Sequence, residues 1–195
     1  MVRILAFAGS TRRGSFNRQL VRIAASGARE AGAEVTEINL ADYRLPVFDQ
    51  DEEEEYGKPD AAKALKQLMI EHDGFLIAAP EYNSSVTGVL KNAIDWVSRP
   101  DEGESVPLGA FKGKVVTLMS ASPGALGGLR CLVHLRAILG NIGCIVLPDQ
   151  VAVPKAHHAF NGNGELADLK QHQRIVRLGT TLATVTARLR AENGG

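Results

Sequence analysis

Residues 2–17 read VRILAFAGSTRRGSFN, an apolar run followed by a polar, glycine-containing loop. An apolar run of this length, rich in Val, Ile, Leu and Phe, predicts a buried β-strand over Val2–Ala8. An amphipathic stretch over about Phe16–Ala31 predicts a helix directly after the loop. The chain therefore begins with a strand, a loop and a helix, which is the first half of a βαβ unit.

The remaining sequence repeats this alternation. The pattern predicts strands over Ala33–Leu40, Gly74–Ala79, Lys114–Ser120 and Cys144–Leu147, and helices over Asp60–Glu71, Val89–Ser98, Leu126–Leu139 and about 166–190. Five strands alternating with five helices indicate a parallel sheet covered on both faces. With right-handed crossovers, the strand order that suits five strands best is 2-1-3-4-5, the order of flavodoxin-like three-layer α/β sandwiches.

Composition limits the function classes. The 195 residues suit a single domain over 1–195, and 45% hydrophobic with 23% charged residues is ordinary for a globular protein. Equal numbers of basic and acidic residues, 22 each, argue against a nucleic-acid partner. No run of about 18 apolar residues predicts a membrane span, and the opening apolar run is too short for a signal peptide. We therefore expect a cytoplasmic protein.

Several conspicuous residues are expected to be structural. Cys131 and Cys144 lie thirteen positions apart in apolar surroundings, which indicates buried reduced thiols rather than a redox pair or a zinc site. The adjacent His157 and His158 lack carboxylate or Cys neighbours and predict surface residues rather than metal ligands. The acidic run Asp51–Glu55 predicts a solvated face within a loop.

The loop after the first strand has the composition of an anion site. A helix N-terminus presents unpaired N–H groups and the positive end of the helix dipole, and glycines allow close approach of the backbone. The loop adds short polar side chains and cations at Ser10, Ser15, Asn17 and either Arg12 or Arg13. Ser15 or Asn17 could instead simply cap the helix. Because the polar residues exceed what a cap needs, the loop favours a phosphate monoester.

Other phosphate-binding motifs do not fit. Gly9 and Gly14 have Walker A spacing, but Ser15 occupies the position of the required Lys. The G-x-G-x-x-G fingerprint of dinucleotide-binding domains is missing. A phospho-accepting receiver domain needs carboxylates at the ends of strands one and three, where this chain has Ala8-Gly9 and Ala79-Pro80.

A second polar loop, PEYNSSVTG at residues 80–88, follows the third predicted strand. Ligands of open α/β sheets bind at the carboxyl ends of the strands where the strand order reverses, here between strands one and three. Both loops therefore meet at one crevice. The loop SASPGALGG at residues 120–128 follows strand four, and its small residues would let backbone amides approach a flat ligand.

These loops carry a family resemblance. The pattern G-S-x-R-x-x-S-x-N matches Gly9, Ser10, Arg12, Ser15 and Asn17, and P-E-Y-N-x-S-x-P-G-x-L-K-N-A-I-D-W matches Pro80 through Trp96. In the second pattern Thr87 replaces the usual Pro, and Ser84 stands where an aromatic residue is often found. The sequence thus resembles the NAD(P)H-dependent FMN reductase family, which includes bacterial quinone, chromate and azo reductases.

The resemblance implies an FMN site and a hydride transfer. NADPH or NADH would reduce the flavin at N5, and the reduced flavin would reduce a quinone, azo compound, chromate-like oxyanion or free flavin. It implies FMN contacts from Ser10, Arg12, Ser15, Phe16, Asn17, Pro80, Glu81, Tyr82, Asn83, Ser122 and Gly124. The flavin carries the chemistry, so no catalytic residue is required, and Glu81 is a weak candidate for proton transfer. Relatives form dimers or tetramers, for which Trp96 and the helix over Leu126–Leu139 are candidate contact surfaces.

Two other functions remain open at this stage. A flavodoxin-type carrier would bind FMN without oxidising NAD(P)H, although the neutral charge and the loop arginines argue against it. A regulatory module would keep the fold and lack the cofactor.

Overall fold

The central feature of the protein is a five-stranded parallel sheet. A computed structural model describes residues 1–101, 103–104 and 106–193, the last of these by its backbone alone. The strands of the sheet are β1 (Arg3–Ala8), β2 (Glu34–Asn39), β3 (Gly74–Ala78), β6 (Val115–Ala121) and β7 (Ile145–Val153), and their order is β2-β1-β3-β6-β7. All four neighbouring pairs are parallel. The predicted order 2-1-3-4-5 is confirmed.

Helices cover both faces of the sheet. They are α1 (Phe16–Glu30), α2 (Gln50–Tyr56), α3 (Asp60–Glu71), α4 (Gly88–Ser98), α5 (Leu129–Asn141), α6 (Ala156–Ala159) and α7 (Leu169–Asn193). The apolar side chains of α1 and α7 pack on one face, and those of α3, α4 and α5 pack on the other. The three-layer prediction is therefore confirmed.

The burial of the strands explains their sequences. Strands β3 and β6 are buried at every residue, as expected for interior strands of a sheet with helices on both faces. Along β1, Ile4 and Ala6 point to the α1 side while Leu5 and Phe7 point to the α4 side, because successive side chains of a strand alternate. The edge strand β2 has no fully buried residue, which agrees with its polar–apolar alternation.

Helix α1, which starts at the candidate phosphate loop, is fixed by a close crossing with α7. A Cβ added at Gly179 would lie 1.8 Å from the carbonyl oxygen of Ala24, and one at Gly27 would lie 2.1 Å from that of Val176. Only glycine permits these contacts between backbones. The position of the first turn of α1 is therefore set by packing at its far end as well as by the loop.

Several local features differ from the sequence prediction. The acidic run is not a loop: it forms α2, whose N-cap Asp49 accepts hydrogen bonds from the N–H groups of Asp51 and Glu52, and its face is solvated as expected. Residues 81–86 form a small hairpin of β4 (Glu81–Tyr82) and β5 (Ser85–Val86). Two further elements have other bounds than predicted. Helix α5 starts at residue 129 rather than 126, and β7 continues to residue 153 rather than ending at 147.

The physical reasons for these bounds lie in single residues. Gly127 and Gly128 adopt φ angles of 62° and 90°, which a helix does not accommodate, so α5 begins after them. Strand β7 lies at the sheet edge, where Pro148 is tolerated because no neighbour needs its missing N–H. The register of β7 against β6 also shifts between Val116 and Leu118, as at a β-bulge.

Candidate functional site

One cleft at the carboxyl ends of β1, β3 and β6 gathers the three predicted loops. It encloses about 420 Å³ of space open to solvent. Its lining residues are Ser10, Arg12, Ser15, Phe16, Asn17, Pro80, Glu81, Tyr82, Ala121, Ser122 and Pro123. Every predicted site residue except Asn83 and Gly124 lines this cleft. Ala121 and Pro123 were missed, although both adjoin the predicted Ser122 in the chain.

The start of α1 presents unused hydrogen-bond donors to the cleft. Within the described part of the chain, the backbone N–H groups of residues 13–17 have no protein acceptor. The Oγ of Ser15 accepts from the N–H of Arg18, and the Oγ of Ser10 accepts from the N–H of Arg12. Both hydroxyls are buried and keep their hydrogens for a further acceptor. Ser15 is therefore a helix cap and also a candidate ligand.

An uncompensated cation lies beside these donors. Among the described residues, Arg12 forms no ion pair, and its guanidinium carbon lies 5.7 Å from the centroid of the Phe16 ring. Phe16 in turn stacks on Phe160, with ring centroids 5.6 Å apart and planes 15° apart. Phe160 was not predicted, because no local signal connects it with a loop so distant in sequence. The loop therefore combines donors, positive charge and a rigid aromatic wall, which suits a phosphate dianion.

Asn17 connects the first loop to the third. It is 3% exposed, its Nδ2 donates to the carbonyl oxygen of Ala121 at 2.8 Å, and its Oδ1 accepts from the N–H of the same residue at 2.9 Å. This paired contact satisfies the end of β6, and it leaves one N–H of the carboxamide for a ligand. Asn17 thus fixes the width of the cleft whether or not it touches a phosphate.

The second loop is held in shape by the hairpin. Asn83 and Ser84 form its two-residue turn with φ angles of 48° and 67°, the left-handed conformation that such tight hairpins require. Tyr82 is 60% exposed and borders the cleft, where its ring offers an apolar surface with a polar tip. Asn83 occupies the tip of the turn, which accounts for its absence from the cleft lining.

The carboxylate of Glu81 is ionised and connects the second loop to the start of α5. Its carboxylate accepts from the N–H groups of Arg130 at 3.1 Å and Cys131 at 3.4 Å, and from the Arg130 guanidinium, whose Nε lies 2.9 Å away and whose Nη2 also donates. Burial tends to raise the pKa of Glu81, but the hydrogen bonds from Arg130 and Cys131 outweigh it and the pKa is lowered. A carboxylate held in this way has no proton to give near neutral pH, which argues against Glu81 as a general acid.

The third loop needs its glycines. A Cβ added at Gly128 would lie 1.9 Å from the Oγ of Ser120, and that hydroxyl donates to the carbonyl oxygen of Ala79 at 2.6 Å. Ser122 donates its N–H to Val153, and its Oγ accepts from the N–H of Gly124. The backbone between β6 and α5 therefore folds back tightly along the cleft.

Trp96 does not lie on a subunit surface, and that prediction is wrong. The side chain is 1% exposed, packs edge-on against Phe48, and donates from Nε1 to the carbonyl oxygen of Pro46 at 2.8 Å. Asn92, one turn earlier, donates to the same carbonyl and accepts from the N–H of Phe48. These two residues of the second sequence pattern hold the segment after β2 against α4.

The thiols and histidines agree with the structural interpretation. Cys131 and Cys144 are free and buried. Burial raises the pKa of the Cys131 thiol to about 11 and that of Cys144 to about 12, so neither is a ready nucleophile. His157 and His158 are exposed. Across residues 1–101, 103–104 and 106–193, no cluster of three metal-ligating side chains is found, and no helix is long and apolar enough to cross a membrane.

Comparison with known proteins shows that the chain is similar to flavin-dependent reductases. A model of a family described as NADPH-dependent FMN reductase matches residues 2–158. The chain is 40% identical over 148 residues to a quinone reductase of Escherichia coli strain K12, covering 75% of this chain and 73% of the relative. It is 35% identical over 191 residues to an NAD(P)H-dependent FMN reductase of Pseudomonas aeruginosa, covering 97% of each. The solved structure of FerB, a flavoenzyme NAD(P)H:(acceptor) oxidoreductase from Paracoccus denitrificans, superposes with a TM-score of 0.79 at 25% identity, covering 96% of this chain and 98% of FerB.

Proposed function

The chain belongs to the NADPH-dependent FMN reductase family, and from this premise we propose that residues 1–195 form one FMN-binding domain that passes a hydride from NADPH or NADH to a small-molecule acceptor. The acceptor classes are quinones, azo compounds, chromate-like oxyanions and free flavin; a relative from Burkholderia is a 2-hydroxy-1,4-benzoquinone reductase. The observation that carries the proposal is the row of unpaired N–H donors at the start of α1, three of which belong to residues that line the same cleft as Pro80 and Tyr82.

The phosphate end of the site is formed by the first loop. Ser10 and Ser15 donate their hydroxyl hydrogens to phosphate oxygens, and Arg12 supplies the compensating charge. The backbone N–H groups of residues 13–17 add donors that need no reorganisation when the anion binds. Asn17 holds this loop at a fixed distance from β6 through Ala121.

The ring end of the site is formed by the second and third loops. Pro80 and Tyr82 offer a stiff apolar surface to the flavin, and Glu81 and Ser122 line the cleft beside them. Asn83 and Gly124 lie in the same two loops but outside the cleft lining, so they would contact the flavin only from the rim. When bound, FMN supplies N5, the atom that accepts a hydride from a nicotinamide and delivers it to an acceptor. The chain binds and orients the ring, and the exposed cleft lets donor and acceptor reach it in turn. The Glu81–Arg130 anchor keeps the ring loop in place beside α5.

The experiment measures FMN binding and turnover on the same preparation. We expect the pure protein to bind added FMN and to oxidise NADPH or NADH in steady state with a benzoquinone, an azo dye, chromate or free flavin. FMN binding without turnover on any acceptor would favour an electron carrier of flavodoxin type. A protein that binds no FMN would be a regulatory module, and the proposed reaction would be wrong.

We further propose that the protein is a homodimer or homotetramer. Near the cleft, exposed apolar side chains lie on and just before α5: Leu126, Leu129 and Val133 are 50%, 44% and 59% exposed. Exposed apolar surface of this kind, next to a ligand cleft, favours a protein contact. Light scattering on Val133→Lys should report a smaller assembly, whereas Leu169→Lys, at a 75% exposed apolar residue on α7, should leave the mass unchanged.

The two free thiols fit a cytoplasmic location, because disulfides are rare in that compartment. Cell fractionation with an antibody to the protein tests this location.

A further inference from the structure

We propose that Thr87 is a positioning residue for the phosphate loop: its hydroxyl connects the start of α4 to the last residue before that loop and so sets the affinity for the phosphate group of FMN. The inference rests on the proposed function. It concerns one of the two positions at which this chain departs from the sequence pattern of its family, the one where Thr replaces the usual Pro.

The geometry of Thr87 is that of a buried bridge. The side chain is 1% exposed, its Oγ1 accepts from the N–H of Leu90 at 3.2 Å, and it donates to the carbonyl oxygen of Gly9 at 2.7 Å. A hydroxyl has one hydrogen and two lone pairs, so both bonds form at once. The first bond caps α4. The second spans 78 positions in the chain and reaches the end of β1.

Gly9 is held from three directions. Its N–H donates to the carbonyl oxygen of Ala78 at 2.9 Å, and its own carbonyl accepts from Thr87. A Cβ added at Gly9 would lie 2.9 Å from Cδ2 and 3.0 Å from Cβ of Leu90, so the backbone packs directly on the first turn of α4. Strand β3 and helix α4 therefore fix the point where the chain leaves the sheet.

The orientation of the next peptide group follows from this contact. A trans peptide is planar, and its C=O and N–H point in opposite directions. Because the carbonyl of Gly9 points at Thr87, the N–H of Ser10 must point away from α4, and the path of the loop begins there. Ser10 carries one of the buried hydroxyls of the cleft. Without the Thr87 hydroxyl this peptide group can rotate, and the first donors lose their alignment.

The ring loop at residues 80–88, which includes Thr87, has supports of its own in the β4–β5 hairpin and the Glu81–Arg130 contact. The side-chain hydroxyl of Thr87 donates toward the phosphate loop instead. Its side chain contacts only Gly9 and Leu90 through hydrogen bonds in the described part of the chain, and it does not line the cleft. Its loss should therefore weaken the binding of the phosphate group and leave the ring contacts in place. This separates a positioning role from a general loss of stability.

The test compares FMN with riboflavin, which has the same ring and no phosphate. Thr87→Val removes the hydroxyl with little change in shape, and Thr87→Ser keeps both bonds. Thr87→Pro is a second deletion of the hydroxyl that the backbone accepts, because φ is −69° at this residue and Pro requires about −65°. Dissociation constants for both flavins come from fluorescence titration, and the melting temperature of each variant is measured alongside.

We expect Val and Pro variants to bind FMN about 5- to 10-fold more weakly, as for one lost buried hydrogen bond, with riboflavin affinity changed less than about twofold and the Ser variant like wild type. Equal losses for both flavins, or no loss of FMN affinity in both Val and Pro variants, would overturn the role of Thr87. Failure of the proposed function has a different signature, because wild-type protein would then bind neither flavin.

Discussion

The substitution Glu81→Gln distinguishes two roles for Glu81, a structural anchor of the second loop and a proton donor in the reaction. The carboxylate of Glu81 is 8% exposed and accepts two main-chain N–H bonds at the start of α5 together with the Arg130 guanidinium. Capping of a helix start by a side-chain acceptor contributes about 1 kcal/mol. The Arg130 side chain is 54% exposed, so solvent screens the ion pair and it adds only about 0.5 kcal/mol.

These contacts give an expected size for the effect. Gln keeps one acceptor oxygen but loses the charge, so Glu81→Gln should lower the free energy of unfolding by about 1 kcal/mol. For a chain of this length that corresponds to a fall in melting temperature of about 2–4 °C. Arg130→Met leaves the main-chain bonds of Glu81 intact and should cost about 0.5 kcal/mol, which makes it the matched control.

The pH dependence has a definite sign. The pKa of Glu81 is lowered in the folded protein, so its stabilisation is complete above its ordinary value of 4.5 and is lost as the pH falls through the folded pKa. The difference in urea midpoint between wild type and Glu81→Gln should therefore be largest at neutral pH and should shrink as the pH falls below 4.5.

Turnover decides between the two roles. A general acid contributes about 100- to 10,000-fold to the rate, whereas an anchor should leave the rate per bound FMN within about threefold after Glu81→Gln. A rate loss of more than about 100-fold with unchanged FMN affinity and unchanged stability would refute the anchor argument and make Glu81 a catalytic residue.

Three further substitutions probe the cleft, and a fourth, in α5, serves as the control for the third. Arg12→Ala should weaken FMN binding by about 1.5–3 kcal/mol through loss of a charge-assisted bond, and unchanged affinity in a fluorescence titration would remove Arg12 from the site. Asn17→Leu leaves the N–H and carbonyl of its main-chain partner unpaired and should lower the free energy of unfolding by about 2–4 kcal/mol in urea, so a stable variant would show that this contact is dispensable. Gly128→Ala should lower the free energy of unfolding by more than about 2 kcal/mol, because φ is 90° and the added Cβ would lie 1.9 Å from a buried hydroxyl oxygen. Gly140→Ala lies within α5 with open space around it, and it should raise the free energy of unfolding by about 0.5–1 kcal/mol. Thermal unfolding measures both.

Local sequence patterns predicted much of the fold. The predicted helix over Asp60–Glu71 has the observed bounds, and β1 and α1 differ from their predictions by one residue at one end. Apolar runs and helical periodicity encode these elements because burial of one face is a property of the segment itself. Helix α2 was missed although Asp49 followed by Glu52 is a helix-start signal, because the run of like charges outweighed it in the interpretation.

By itself, the sequence determined that the chain forms a parallel α/β sheet and that a polar, glycine-containing loop precedes α1, since both depend on neighbours in the chain. Only the tertiary structure decided what the polar residues of the cleft hold on to. Asn17 bonds Ala121, Glu81 bonds Arg130, and Trp96 bonds Pro46. The two partners of each bond are 104 positions apart in the sequence for Asn17, 50 for Trp96 and 49 for Glu81. A hydrogen bond needs both groups within about 3 Å and aligned, and that condition is met only when the strands and helices have packed.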